Sequence, residues 1–436
     1  MENFGQGQST GLDQTENWKR LTGWSPEHMV ISSQDRDILR PLAEKVARLA
    51  DDEAEKQKIE LWRRHNQLEK GRPLVFCYPE QGWNEVLTDA ELACGGVLAL
   101  RFEMELRKKI FWAEEMGDDT PLEPCFDIPY TVSEDDWGLH TEFHRTATMG
   151  SMTWESPLKD YQTDLGKLHS PEFTVDMETS SRSAELAQEA FGDVLPIRLR
   201  GRWWTSLGVT KPAIHMRGLS NFLYDFYDHP EELKQFLSII SDGLLEKMDY
   251  FEKRNLLCLN NDDTYNGSGG FGYTEELPQD GAGEQIRLAD TWGFTESQES
   301  VGVSPDMYEE FIFPYEKAIM ERFGLTAYGC CEGLDKRWHV VKKHPNLRRV
   351  SCSPWADWAK MAEYLEDKYI FSMKPNPACL ATYEIDEDAI RTEIREAFEV
   401  TKDCVVELIM KDNHTIGKNP DNIVRWCAIA QEEAEK

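Results

Sequence analysis

Two adjacent cysteines, Cys330 and Cys331, close the apolar run LTAYGCC, and His414 follows a later one, CVVELIMK. Thiolate and imidazole are the donors zinc prefers. Three protein ligands with a fourth position open make a catalytic site rather than a structural one. Glu299 and Glu296, in the stretch FTESQES, follow a third apolar run and can supply a carboxylate. Each residue also has a plainer use. Two cysteines at a buried strand end serve as small packing residues. A lone histidine after a strand serves as a hydrogen-bonded rim residue, and Glu299 can cap the helix that opens near Ser304. The spacing alone leaves Cys330 against Cys331, and Glu299 against Glu296, open.

Further carboxylates follow other apolar runs. Asp262 and Asp263 come after LLCLN and Glu80 after PLVFCYP, and all three are candidates for acid–base catalysis. The aspartates equally suit ordering the Gly-rich NGSGGFG behind them. That loop lacks the Gly-Lys-Ser/Thr ending of a phosphate cradle. No Gly-x-Gly-x-x-Gly fingerprint and no Ser-His-Asp logic is present. Trp83, Tyr265, Phe271 and Tyr328 are candidates to wall a substrate pocket, although aromatic side chains more commonly fill cores.

Eight short apolar runs, rich in β-branched and aromatic residues, must position these groups. They are Pro73–Pro79, Val194–Arg200, Leu256–Asn260, Trp292–Thr295, Leu325–Cys331, Arg349–Ser353, Tyr369–Met373 and Cys404–Lys411. Helical patterns separate several of them. Asp228 is placed to cap one helix, with Pro230 in its first turn. Ser304 and Pro305 open another, which Pro314 should kink. Alternating strands and helices predict a parallel α/β sheet, and eight strands predict closure into a (β/α)8 TIM barrel. The active site of such a barrel lies at the C-terminal strand ends, where the carboxylates, thiols and imidazole above converge. Residues 1–70 read as an N-terminal helical extension, with Leu39, Leu42, Val46 and Leu49 at helical spacing. Residues 71–436 read as the barrel. Residues 115–190 are polar and turn-rich, and read as a lid-like insertion over one mouth.

The chain has 436 residues, 40% of them apolar, and a formal charge of −32. That field repels nucleic acid. No apolar stretch approaches the ~20 residues of a membrane span, and the polar N-terminus is no secretory signal. Ten cysteines without framework spacing suit reduced thiols in a cytoplasm.

NFLYDFYDHPEELKQFL and SPDMYEEFIFPYEKAI resemble helix openings of the uroporphyrinogen decarboxylase superfamily. YGCCEGLDKRWHVVKKHPNLRRVSCSPWAD, KPNP and VELIMKDNHTIGKNPDNIVRW are similar to its corrinoid-dependent methyltransferase branch. The resemblance covers roughly residues 60–436 and implies a TIM barrel. Zinc methyltransferases of the superfamily carry a His-x-Cys pattern at one strand end and a later Cys. Here Tyr328 stands at the His position, and the later Cys falls near His414. This departure suggests the O-demethylase subgroup, whose metal sites mix carboxylate, thiolate and imidazole. NQLEKGRPLVF lacks the Arg cluster with which true decarboxylases hold their substrate.

The resemblance implies methyl transfer from an O-methyl donor, such as an aromatic methyl ether, to the Co(I) corrinoid of a partner protein. Zn2+ would be held by Cys331, Glu299 and His414, with Cys330 as the alternate thiolate. The corrinoid arrives on its own protein, so no motif for it is expected in this chain. Barrels of this size often pair, so a homodimer is a further expectation. The rival readings are a methylcobamide:thiol methyltransferase, a metal-free decarboxylase using Asp262 or Asp263, and a non-catalytic barrel that binds a corrinoid protein.

Overall fold

The computed structural model describes residues 28–145, 152–201, 206–279, 281, 283 and 285–436. The first 27 residues of the expected N-terminal extension lie outside them. Two helices begin the described chain, α1 (Ser33–Ala50) and α2 (Glu53–Asn66). Ser32 caps α1 by accepting from the Asp35 amide, and Asp35 returns a bond to Ser32. Leu39, Ala43 and Val46 bury one stripe of α1, against a core shared with α3 (Val97–Phe111).

The fold is α/β. Six parallel strands form one sheet: β1 (Leu74–Cys77), β8 (Trp292–Thr295), β9 (Leu325–Tyr328), β10 (Leu347–Cys352), β11 (Ile370–Met373) and β12 (Val405–Met410), in the order β1-β12-β11-β10-β9-β8. All five ladders are parallel. Two more parallel strands, β2 (Phe126–Pro129) and β7 (Ile197–Arg200), pair with each other and bring the total to eight. Leu256–Asn260, one of the expected strands, has no regular ladder. It still bridges β7 to β8: the Gly201 amide donates to Cys258 Sγ, and the Asn260 side chain bonds both the amide and the carbonyl of Trp292. The eighth strand is instead β2, inside the span read as an insertion. The rest of that span holds two antiparallel pairs, β3 (Thr131–Glu134) with β6 (Phe173–Asp176) and β4 (Glu142–Arg145) with β5 (Met152–Glu155).

At the seam between β1 and β2 no ladder forms, and the segment that leads to β2 meets β1 instead. Asp119 Oδ2 accepts from the Val75 amide at 2.8 Å and Asp118 Oδ2 from the Cys77 amide at 2.9 Å, while the Asp119 amide donates to the Val75 carbonyl. Edge amides that would otherwise be orphaned are thus satisfied. Asp118 is fully enclosed, and burial pushes its carboxyl up to about 6.

One helix start differs from the sequence pattern. Asp228 ends one helix, Leu219–Asp228, and His229 precedes the next, Pro230–Lys253, without a side-chain cap. Ser304 does cap its helix, and the chain breaks at Ile312 into Pro305–Phe311 and Phe313–Met320, placing Pro314 in a first turn where a missing amide costs nothing.

Inside the wall runs the Gly-rich segment, residues 261–273. Ser268 Oγ donates to the Gly329 carbonyl at 2.9 Å. Beneath it sits a polar knot. Glu407 is fully buried, paired with Arg349 at 2.9 Å and His65 at 3.1 Å. Ser372 Oγ also donates to it, and Lys374 donates to Ser372. Burial alone would raise the Glu407 carboxyl. The Arg349 charge, the His65 hydrogen bond and the Lys374 charge outweigh it and hold the group down at about 2. Gly270 (φ +85°) passes so close that a Cβ would lie 2.7 Å from Arg349 Nη2 and 2.8 Å from Glu407 Oε2.

Two outcomes follow from the knot. Gly270→Ala combines left-handed backbone strain with a steric conflict, and should lower unfolding free energy by about 2–4 kcal/mol in urea titrations. Glu407→Gln leaves Arg349 buried with a weakened partner and should cost about 3–5 kcal/mol near neutral pH. Because the folded carboxyl lies below its unfolded value, its contribution is present above about pH 4.5 and is lost as pH falls toward 2. The gap between wild type and Glu407→Gln should therefore narrow across that window.

Candidate active site

The C-terminal ends of β9 and β12 bring the reactive groups together. Gly329, with φ +92°, turns the chain sharply after β9 and presents Cys330, half-buried, and Cys331, exposed. Their sulfurs lie 3.6 Å apart. From the end of β12, Asp412 Oδ2 lies 3.7 Å from Cys331 Sγ, while Lys411 Nζ lies 3.4 Å from Cys330 Sγ and 2.7 Å from Asp412 Oδ2. Glu80, after β1, accepts from the Asp412 amide at 2.9 Å. Glu80 and Asp412 both hold left-handed backbone, φ +49° and +61°. Non-glycine residues carry that strain where the surrounding structure over-determines them, and such residues cluster at functional sites.

Three glutamates back the thiols. Glu332 accepts from the Cys330 amide at 2.9 Å and the Ser297 amide at 3.0 Å. Glu296 accepts from Ser206 Oγ and the Gln298 amide. Glu299 accepts from Thr210 Oγ1 at 2.7 Å. Burial, then the charges of Glu299, Glu332 and Cys330, push the Glu296 carboxyl well above its ordinary range. Burial and Asp412 also raise Glu80. The hydrogen bond from Cys330 lowers the Cys331 thiol, with Lys411 helping, while the same bond and burial raise Cys330. Thiolate character therefore rests on Cys331. Burial would lower Lys411, but Cys330, Tyr265 and Asp412 hold it well above normal. Lys374, fully enclosed, is pushed down to about 8 by burial despite Glu407.

A cavity of about 380 Å³ opens beside Cys331, lined by Gln298, Glu299, Val301, Cys331, Glu332, Gly333 and Trp355. Of the residues singled out in the sequence, Cys330, Cys331, Glu299, Glu296 and Glu80 meet at this rim. Tyr265 lies 5.4 Å from Tyr78, and its hydroxyl feels the charges of Lys411, Glu80 and Cys330. His414 does not reach the thiols first. Its exposed ring lies near enough to Glu80 to act on it, and Asp412, two residues earlier, meets Cys331 instead.

The other expected site residues fall elsewhere. Alternation along β9 turns Tyr328 outward, stacked on His344 at 4.6 Å and bonded to Tyr308 at 2.9 Å and Glu316 at 3.2 Å. Trp83 is core, edge-on to Phe111 and Trp112. Phe271 belongs to the barrel floor, against Trp62 and Phe76. Asp262 and Asp263 sit across the barrel among β7 arginines. Arg200 donates to Asp262 at 2.8 Å, and Arg198 reaches Asp263 at 3.5 Å. Burial pushes Asp263 up to about 7. Glu123, Asp262 and Asp263 place carboxylate oxygens within 4.8 Å of one another. Arg198, Arg200 and Lys109 already neutralise this trio, which makes it a charge knot rather than a cation site. Lys411 and Trp355 are site residues the sequence pattern did not single out.

No family model and no curated protein matches the chain. Among solved structures, a methyltransferase from Methanosarcina mazei is similar to it at a TM-score of 0.48 and 12% identity, over 86% of this chain and 97% of that one. A likeness this loose carries nothing about chemistry. No helix among the described residues is long and apolar enough to cross a membrane.

Exposure and charge set an order of thiol reactivity. Brief alkylation with iodoacetamide near pH 7, mapped by mass spectrometry, should label Cys331 before every other cysteine in the described residues. Lys411→Met should slow that labelling severalfold.

Proposed function

We propose that the chain is a metal-dependent methyltransferase, moving a methyl group from an O-methyl donor to the Co(I) corrinoid of a partner protein. One observation carries this reading: two thiols and a carboxylate from different strands meet at the C-terminal mouth of the barrel. Zinc–sulfur bonds near 2.3 Å and zinc–oxygen bonds near 2.0 Å imply tetrahedral edges of roughly 3.5–3.8 Å. The Cys330–Cys331 and Cys331–Asp412 separations, 3.6 and 3.7 Å, suit such edges, whereas Lys411 Nζ, bonded to both Cys330 and Asp412, keeps the third edge open and would have to withdraw for a metal to enter. Glu296 and Glu80, raised first by burial and then by neighbouring carboxylates, would also be relieved by a cation here.

Cys330, Cys331 and Asp412 would hold the metal, with Glu299 and His414 as neighbours on the rim. A zinc ion bound there would supply Lewis acidity to the ether oxygen. The chain's own residues do the rest. Lys411 stabilises thiolate and carboxylate before the metal arrives. The cavity beside Cys331 receives the donor, and Gln298 brings an amide to its wall. In the transfer the methyl carbon would leave the ether oxygen, which keeps the electron pair of the broken bond, and the pair for the new bond would come from the acceptor on the partner protein. The tethering of Asp262 and Asp263 by arginines disfavours the decarboxylase reading, in which one of them assists protonation.

Metal analysis with a Co(I) methylation assay tests the proposal. The purified chain should bind about one zinc. Cys331→Ala and Asp412→Ala should lose most of it and at least about a hundredfold in methyl transfer to Co(I) from methoxylated arenes. His414→Ala should retain the metal. Full turnover in Cys331→Ala would overturn the assignment.

A further inference from the structure

The cavity beside Cys331 has a definite charge character. Its lining includes two carboxylate residues, Glu299 and Glu332, and no lysine or arginine. Both are pinned by the bonds from Thr210 and from the Ser297 and Cys330 amides, so neither can swing away from an incoming ligand. Glu296 stands behind them. The nearby cations are committed elsewhere: Lys411 to Cys330 and Asp412, and Arg337 to Ser300 Oγ at 3.0 Å and the Ser300 carbonyl at 2.8 Å.

The same lining holds two apolar side chains out of place on a solvated surface. Trp355 is 73% exposed and Val301 66%. Their backbones are fixed. Arg337 braces the turn that carries Val301, and the Trp358 indole donates to the Ser353 carbonyl at 2.8 Å beneath Trp355. Gly333 lets that turn approach, since a Cβ there would lie 3.3 Å from the Trp355 carbonyl. A rigid indole at a cavity edge is a surface for a flat ring or a cation.

We infer that this cavity selects its methyl donor by charge, with Trp355 as the platform for an aromatic ring and Glu299 and Glu332 rejecting any ring that bears a carboxylate. The donor class is therefore an uncharged or cationic methoxyarene. This rests on the reading above for the role of the methoxyl group, but the selection itself is a property of binding.

Three probes share one ring and one methoxyl group: anisole, para-methoxybenzoate and para-methoxyphenyl-trimethylammonium. Their equilibrium binding to the full-length chain is measured by calorimetry with metal removed by chelation, because a divalent ion beside Cys331 would itself attract the benzoate. Anisole and the ammonium probe should bind at least about tenfold more tightly than the benzoate. Glu299→Gln should narrow that ratio severalfold without abolishing anisole binding. Trp355→Ala should weaken anisole and the ammonium probe by about tenfold while leaving the circular dichroism and melting temperature unchanged. Benzoate binding as tight as anisole, indifference to Trp355→Ala, or no binding by any probe would overturn the inference. Because no turnover is needed, selective binding without Co(I) methylation would instead count against the methyl-transfer reading alone.

Discussion

A carboxylate sealed in the middle of the barrel organises the rest. Glu407 lies where no water reaches it, so each of its oxygens must be answered by the protein. Arg349 comes from β10, Ser372 from β11 and His65 from the helix under the barrel floor. A slip of β12 by one residue would turn Glu407 into the apolar layer outside and lose every partner. The knot therefore fixes the register of the strands whose next residues are Lys374, Lys411 and Asp412. The mouth inherits its geometry from a charge pair well below it.

The mouth is held in electrostatic tension. Carboxylates of Glu80, Glu296, Glu299, Glu332 and Asp412 gather around two thiols. Lys411 is the cation in hydrogen-bonding contact with both a thiol and Asp412. The backbone contributes through left-handed Glu80 and Asp412, which the Glu80–Asp412 hydrogen bond locks together. Such an arrangement is costly to fold and well suited to receive a positive centre.

Much of this was legible in the sequence because strand ends announce themselves. Apolar runs followed by polar residues gave seven of the eight wall strands and placed Cys330, Cys331, Glu296, Glu299 and Glu80 on one rim. The missed strand, Phe126–Pro129, is four residues long with a proline and an aspartate, and nothing in its composition separates it from a loop. Leu256–Asn260 reads as a better strand, yet it joins its neighbours through side chains. Tyr328 was misplaced because the rim pattern does not reveal which face a terminal residue takes, and alternation sends it outward. His414 drew attention as the imidazole of the last loop, whereas the left-handed turn at Asp412 brings the earlier carboxylate inward. Asp262 and Asp263 looked free because Arg198 and Arg200 are distant in sequence.

The β1–β2 seam has a consequence for how such a chain can change over generations. Along the six-stranded arc the wall is a continuous backbone ladder, and an added residue in one strand shifts the pairing of its neighbours. At the seam, two aspartate side chains and one amide from the segment before β2 meet β1, and no ladder carries register from β1 to β2. Segments entering or leaving there can lengthen, shorten or be replaced without disturbing the six-stranded arc that carries the thiols. The long excursion after β2 leaves from a strand pair outside that arc, so evolutionary tinkering there leaves the thiol-bearing strands untouched.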